Sequence, residues 1–138
     1  MSLTFFLSRF PDDDACWAHL EATRWPDGPA CTKCGNTGKA TPRKRAHYWQ
    51  CRACRALFTV AMGTQMEGSH LPMRMWFTAI YIIATSSKRI SSVKLGERLG
   101  IGQKTAWFLG KRIQRMMEDK EGLLRGIVDA EETKPVID

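Results

Sequence analysis

Two Cys-x-x-Cys pairs, Cys31-Thr32-Lys33-Cys34 and Cys51-Arg52-Ala53-Cys54, separated by sixteen residues, constrain this 138-residue chain more than any other feature. Two residues between ligands let both sulfurs of a pair point at one ion, and four thiolates complete the tetrahedral shell that suits Zn²⁺. Gly35 follows the first pair, where a tight turn needs a permissive backbone. Lys33, Arg52 and Arg55 flank the sulfurs and would soften the negative charge of a tetrathiolate. A segment of about thirty residues buries too little apolar surface to fold alone, so one structural zinc ion is expected to supply its folding energy. Disulfides and a rubredoxin-like iron site are the alternatives. The iron site would make an electron-transfer protein, which has no need of the basic helices that follow. The odd cysteine, Cys16, is expected as a small apolar residue on a helix. His19, His47 and His70 are expected to be packing or surface residues, since four cysteines already complete a ligand set.

Charge is distributed unevenly. The net charge is +7, but from Cys31 to Met117 sixteen Lys and Arg face only Glu67 and Glu97, giving +14, while the flanks carry five bases and twelve acids, giving −7. A basic middle with acidic ends favours a polyanionic partner. No run of eighteen apolar residues occurs, so no membrane span or membrane partner is expected. The opening stretch Met1–Leu7 is too short, and lacks the basic start, of a secretion signal. The chain is therefore read as cytoplasmic and nucleoid-associated, a setting in which thiols stay reduced.

The expected fold is a small α+β chain: a four-Cys zinc ribbon followed by a mainly α, helix-turn-helix domain. Residues 1–30 form a helical segment and linker. The acidic run Asp12-Asp13-Asp14 suits a helix start, because carboxylates offset the positive end of the dipole. A helix over 13–23 would put Cys16, Trp17 and Leu20 on one face. Trp25–Pro29 reads as a turn. The ribbon spans 31–62, with strand-like pieces at His47–Gln50 and Leu57–Val60. Residues 68–120 read as helical: Pro72 sits where a helix can begin, and Trp76, Phe77, Ile80, Tyr81, Ile83 and Ala84 make a strongly apolar helix. Residues 121–138 are weakly patterned.

Ser92 to Lys111 fits a helix-turn-helix. Leu95 and Leu99 are apolar on the first helix, Gly96 is small where the helices approach, and Gly100 occupies the turn, where a left-handed residue is wanted. Ile101 packs after the turn, and Ala106 and Leu109 face back from the second helix. The outward face of that helix would begin at Gln103 and Lys104 and continue through Trp107 or Phe108 to Lys111. At least one of these two aromatics is expected in the core. Gln bonds an adenine edge and Lys reaches guanine or phosphate, so Gln103 and Lys104 are the best candidate base readers. Arg112 and Arg115 are placed to meet phosphate or solvent. Arg43, Lys44 and Arg45, before Tyr48 and Trp49, occupy the loop between the cysteine pairs, where a basic tip can touch a nucleic-acid backbone.

Together these residues resemble the N-terminal half of bacterial insertion-sequence transposases that carry a zinc ribbon before a DDE-type nuclease domain. The likeness rests on Arg24–Pro29 leading into Cys31-Thr-Lys-Cys34-Gly, then on Tyr48-Trp-Gln-Cys51-Arg-Ala-Cys54-Arg. Gly63-Thr64, Gly68-Ser69, Leu71-Pro72, Trp76-Phe77 and Gln103–Phe108 follow in order, so it covers nearly all of residues 3–133. It implies that the ribbon and helix-turn-helix recognise terminal inverted repeats of a mobile element in double-stranded DNA. A downstream RNase H-like domain would cut and join DNA with two Mg²⁺ ions.

The chain departs from that pattern near its end. Where relatives read Val-Glu-x-Asp-Glu-Thr, it has Val128-Asp129-Ala130-Glu131-Glu132-Thr133, with Glu131 at the position of the first catalytic Asp. Glu is longer by one methylene, and reactive geometry tolerates little displacement. The sequence ends at Asp138 before any further acid of such a site. No catalysis is therefore expected, and Asp129, Glu131 and Glu132 are read as a solvated remnant. The expectation is a DNA-binding, catalytically inactive transposase fragment, with intact transposase or a second copy as further partners. A protein-interaction ribbon of a transcription-associated adaptor, and one half of a split DDE transposase, remain open.

Overall fold

The computed structural model describes residues 3–86 and 89–118, so expectations for the tail, Asp129, Glu131 and Glu132 included, lie outside the described residues. The architecture is small α+β. Helices α1 (Leu3–Arg9) and α2 (Asp13–Arg24) precede a three-stranded sheet of β1 (Ala40–Pro42), β2 (Trp49–Cys51) and β3 (Leu57–Phe58). Helices α3 (Met73–Thr85), α4 (Ser92–Leu99) and α5 (Gln103–Glu118) follow.

Helix α1 has no separate signal in the sequence. Seven residues are too few to hold a helix in water by themselves. It forms because Phe6 and, just beyond it, Phe10 are buried. Phe6 stacks on Tyr81 of α3 with centroids 4.5 Å apart, and Phe10 meets Phe77 edge-on at 4.9 Å. Burying one such ring is worth about 2–3 kcal/mol. Helix α2 starts where the acids predict: Asp12 is the N-cap, its carboxylate accepting from Ala15 N at 2.8 Å, and Asp13 and Asp14 fill the first turn.

Helix α3 begins after Pro72, which has no side chain with which to cap it. The carboxylate of Asp13 supplies the cap from another helix, accepting from Arg74 N at 3.0 Å, while Arg74 Nε donates to Phe10 O at 2.7 Å. The buried stripe of α3 differs from the expected one at its C-terminal end. Ile82 is buried, Ile83 is half-buried and Ala84 is exposed. A single core joins α1, α2 and the residues after β3 to α3, α4 and α5, with Trp76, Phe77, Ile80, Leu109 and Ile113 at its centre.

The sheet is antiparallel with order β1-β2-β3, Ala40 facing Cys51 and Trp49 facing Phe58. Strand β1 has no separate signal in the sequence; its Pro42 lies at the sheet edge, where a missing N–H costs little. The other two strands are shorter than their β-rich sequences suggest. His47 adopts a left-handed φ of 70° and turns the chain into β2, and Thr59 leaves the sheet for a run of turns leading to α3.

Candidate metal centre and nucleic-acid interface

The two cysteine pairs fold into near-identical knuckles. In the first, Gly35 N donates to Cys31 O at 3.0 Å and Cys31 N to Asn36 O at 2.9 Å. In the second, Arg55 N donates to Cys51 O and Cys51 N to Ala56 O, both at 2.9 Å. Each turn needs a left-handed residue after its second cysteine: Gly35 has φ 78° and Arg55 has φ 68°. Glycine is free to adopt that conformation and arginine is not.

Sequence distant but structurally adjacent, the knuckles bring four sulfurs together. Cys31 Sγ lies 3.6 Å from Cys54 Sγ, Cys34 Sγ lies 3.5 Å from Cys51 Sγ, and all four fall within 4.8 Å of one another. A tetrahedron with Zn–S near 2.3 Å has edges of about 3.8 Å, so the cluster is the right size for one structural Zn²⁺. Among the described residues these cysteines are the group placed to hold a metal ion. The histidines stand elsewhere. His19 packs edge-on against Phe10, His47 lies on Trp17, and His70 is exposed.

Backbone N–H groups favour thiolate at Cys31 and Cys51. Cys34 N and Lys33 N point at Cys31 Sγ from 3.4 and 3.3 Å, and lower its pKa to about 6. Cys54 N and Ala53 N act likewise on Cys51, whose pKa is also lowered. At Cys54 the Ala56 N–H lowers the pKa, but burial and the neighbouring sulfurs outweigh it and push the value up to about 11. Asn36 Nδ2 adds a donor to Cys34 Sγ at 3.3 Å. Cys16 takes no part: it is fully buried between helices, and burial, reinforced by Asp13, pushes its thiol up to about 12.

Only Cys31, Cys51 and Phe58 form the buried centre of the ribbon, so it leans on its neighbours as well as on metal. Trp25 meets Phe58 edge-on at 5.5 Å and Trp49 at 6.4 Å. Trp49 Nε1 donates to Glu21 Oε2 at 3.1 Å, and Arg24 Nη1 donates to Val60 O at 2.6 Å and Met62 O at 3.1 Å. Helix α2 is thus a common wall for ribbon and helical body.

Helices α4 and α5 are joined by a turn at Gly100–Gly102. Ser91 caps α4 through Lys94 N, and Gly100 ends it at φ 74°. A Cβ on Gly96 would lie 2.8 Å from Ile101 O, so only glycine allows this approach. Helix α5 buries Ala106, Leu109, Ile113 and Met116. That stripe corrects one expectation: neither Trp107 nor Phe108 is core, being 56% and 41% exposed, because a helical period of 3.6 turns both outside the stripe. Gln103, Lys104, Lys111 and Arg115 share this exposed surface. Lys111 Nζ stands 5.6 Å from the centroid of Trp107. Arg112 is half-buried, lies 4.8 Å over Phe108 and donates to Gln65 O at 2.9 Å, so it ties α5 to the turns before α3. On the ribbon, Arg43, Lys44 and Arg45 are exposed, with Arg45 4.3 Å over the ring of Tyr48.

Residues 11–56 match the transposase zinc-ribbon domain family, a span that takes in α2, both knuckles and the β1–β2 hairpin. The match starts well before Cys31, in agreement with the contacts that make α2 a wall of the ribbon. No curated protein and no solved structure matches the chain. No helix among the described residues is long and apolar enough to cross a membrane.

Proposed function

We propose that this chain binds double-stranded DNA and recognises the terminal inverted repeats of a transposable element. The observation that carries the reading is the exposed, cation-bearing face of α5, packed against α4 at an approach that only glycine at position 96 allows, in a chain whose ribbon is similar to those of transposases. Helix α5 is sixteen residues, roughly 24 Å, which is long enough to lie along a major groove. Its first turn carries no acid, so its positive dipole end and Lys104 act together on a polyanion.

In this reading Gln103 and Lys104 meet base edges, Lys111 meets base or phosphate, and Arg43, Lys44 and Arg45 grip backbone from the ribbon tip. Arg112, which ties α5 to Gln65, is half-buried and meets phosphate or solvent at the edge of this face. Zinc holds the ribbon in shape and takes no part in chemistry. No catalytic role is assigned to the chain.

The test is a salt-dependent titration of zinc-loaded protein on the inverted-repeat duplex and on a scrambled duplex. We expect preferential binding that falls steeply with salt, since each neutralised phosphate releases counterion. Gln103→Ala should relax sequence preference by about 1–3 kcal/mol, and Lys44→Ala should reduce the salt slope by about one. Equal binding of both duplexes rejects end recognition, and affinity indifferent to salt rejects DNA as the partner.

A further inference from the structure

A cavity of about 360 Å³ opens beside Trp107, where the end of α3 meets the start of α4 and the middle of α5. Ile83, Ile90 and Leu95 give it aliphatic lining, and Ser91, Ser92 and Gln114 add polar groups. Arg89 and Lys111 supply the cations of its lining, and both are exposed. The geometry points to a pocket for one unpaired nucleotide of the bound DNA, with its base stacked against Trp107 and its phosphate met by Arg89 and Lys111. This inference rests on the DNA-binding reading and deepens it.

Three features select a nucleotide over a purely apolar guest. The size falls at the small end of the range for ligand pockets, roughly 300–1,000 Å³. The Trp107 indole is more than half exposed and the Lys111 ammonium lies over its ring, 5.6 Å from the centroid, so a base that stacks there takes the place of the ammonium and leaves it beside the phosphate. Stacking on an aromatic ring with cations along the backbone is the way unpaired bases are held. The +14 charge of residues 31–117 favours an anionic occupant and opposes a second copy of the same basic surface. A paired base cannot reach such a cavity without leaving the stack, so an already unpaired nucleotide enters at least cost.

The experiment compares two duplexes of one sequence, one fully paired and one carrying a single unpaired 2-aminopurine. Zinc-loaded full chain should bind the second about tenfold more tightly, the scale of one stacked base, with a change in 2-aminopurine emission. Trp107→Ala should bring the affinity ratio to about one, and Trp107→Phe should keep part of it. Equal affinity of the wild-type chain for both duplexes overturns the pocket assignment while leaving duplex binding intact. Binding to neither duplex removes the DNA reading itself. Saturable binding of free deoxynucleoside monophosphate, with no preference for the unpaired duplex, would reassign the cavity to a small molecule and overturn the inference.

Discussion

The imidazole of His47 lies flat on the indole of Trp17, ring centroids 4.4 Å apart and planes 8° from parallel, with His47 Nε2 also 3.3 Å from Asp14 Oδ1. The contact joins the ribbon hairpin to α2, and with Glu21–Trp49 and Arg24–Val60 it sets how the metal module meets the helical body. Trp17→Ala should weaken that docking without removing a zinc ligand. Ring pairs of this kind contribute about 0.5–1.5 kcal/mol beyond area burial. Thermal melts should therefore show modest destabilisation, and amide exchange should quicken around His47–Trp49 while zinc stoichiometry stays at about one. Unchanged exchange in the hairpin would mean that Trp25, Glu21 and Arg24 suffice for docking.

Chelation should separate the two cores. The ribbon has a small core of its own around Cys31, Cys51 and Phe58, whereas α3, α4 and α5 are held by the larger cluster. Excess EDTA should abolish ribbon order, read from the near-ultraviolet signals of Trp25 and Trp49, and leave most far-ultraviolet helicity. Zinc needs thiolates, so acid competes with metal. Cys31, lowered to about 6, is ready to bind at neutral pH, while Cys54, raised to about 11, must release a proton on binding. Apparent zinc affinity should fall as pH drops from 8 to 6; a zinc titration with a chromophoric chelator that finds no fall contradicts four-thiolate ligation.

Gly96→Ala tests the α4–α5 approach. The new Cβ would meet Ile101 O at 2.8 Å and both Ala106 Cβ and Gly102 O at 3.4 Å, two of the three being backbone atoms that cannot swing away. Overpacking of this kind costs about 1–3 kcal/mol. The melting temperature should drop and DNA affinity should weaken with it. A variant as stable as the parent would show that the turn can open without loss.

The knuckles predict opposite outcomes for matched substitutions. Arg55 sits at φ 68°, a conformation costing a non-glycine residue about 1–2 kcal/mol, whereas Gly35 holds φ 78° without strain. Arg55→Gly should preserve or raise stability of the zinc-loaded protein, and Gly35→Ala should lower it by about 1 kcal/mol. Chemical denaturation with zinc present checks both; destabilisation by Arg55→Gly would assign the arginine side chain a structural contact of its own.

Local chemistry was legible in the residues themselves. Cys31, Cys34, Cys51 and Cys54 declare a tetrathiolate site because ligand spacing within a knuckle is a property of a few consecutive residues, and sulfur prefers a narrow set of metals. Asp12 at the start of α2, Pro72 before α3 and Gly100 after α4 are equally local, since caps and left-handed turns depend on one residue's backbone. The tertiary structure alone decided that α1 exists, that Asp13 caps α3, that His47 rests on Trp17, and that Arg112 is committed to Gln65 while Trp107 stays in solvent. Each of these depends on partners far along the chain or on the rotation of a packed helix about its axis. No short stretch of sequence encodes that rotation, because it is set by how all the apolar side chains of the core fill space at once.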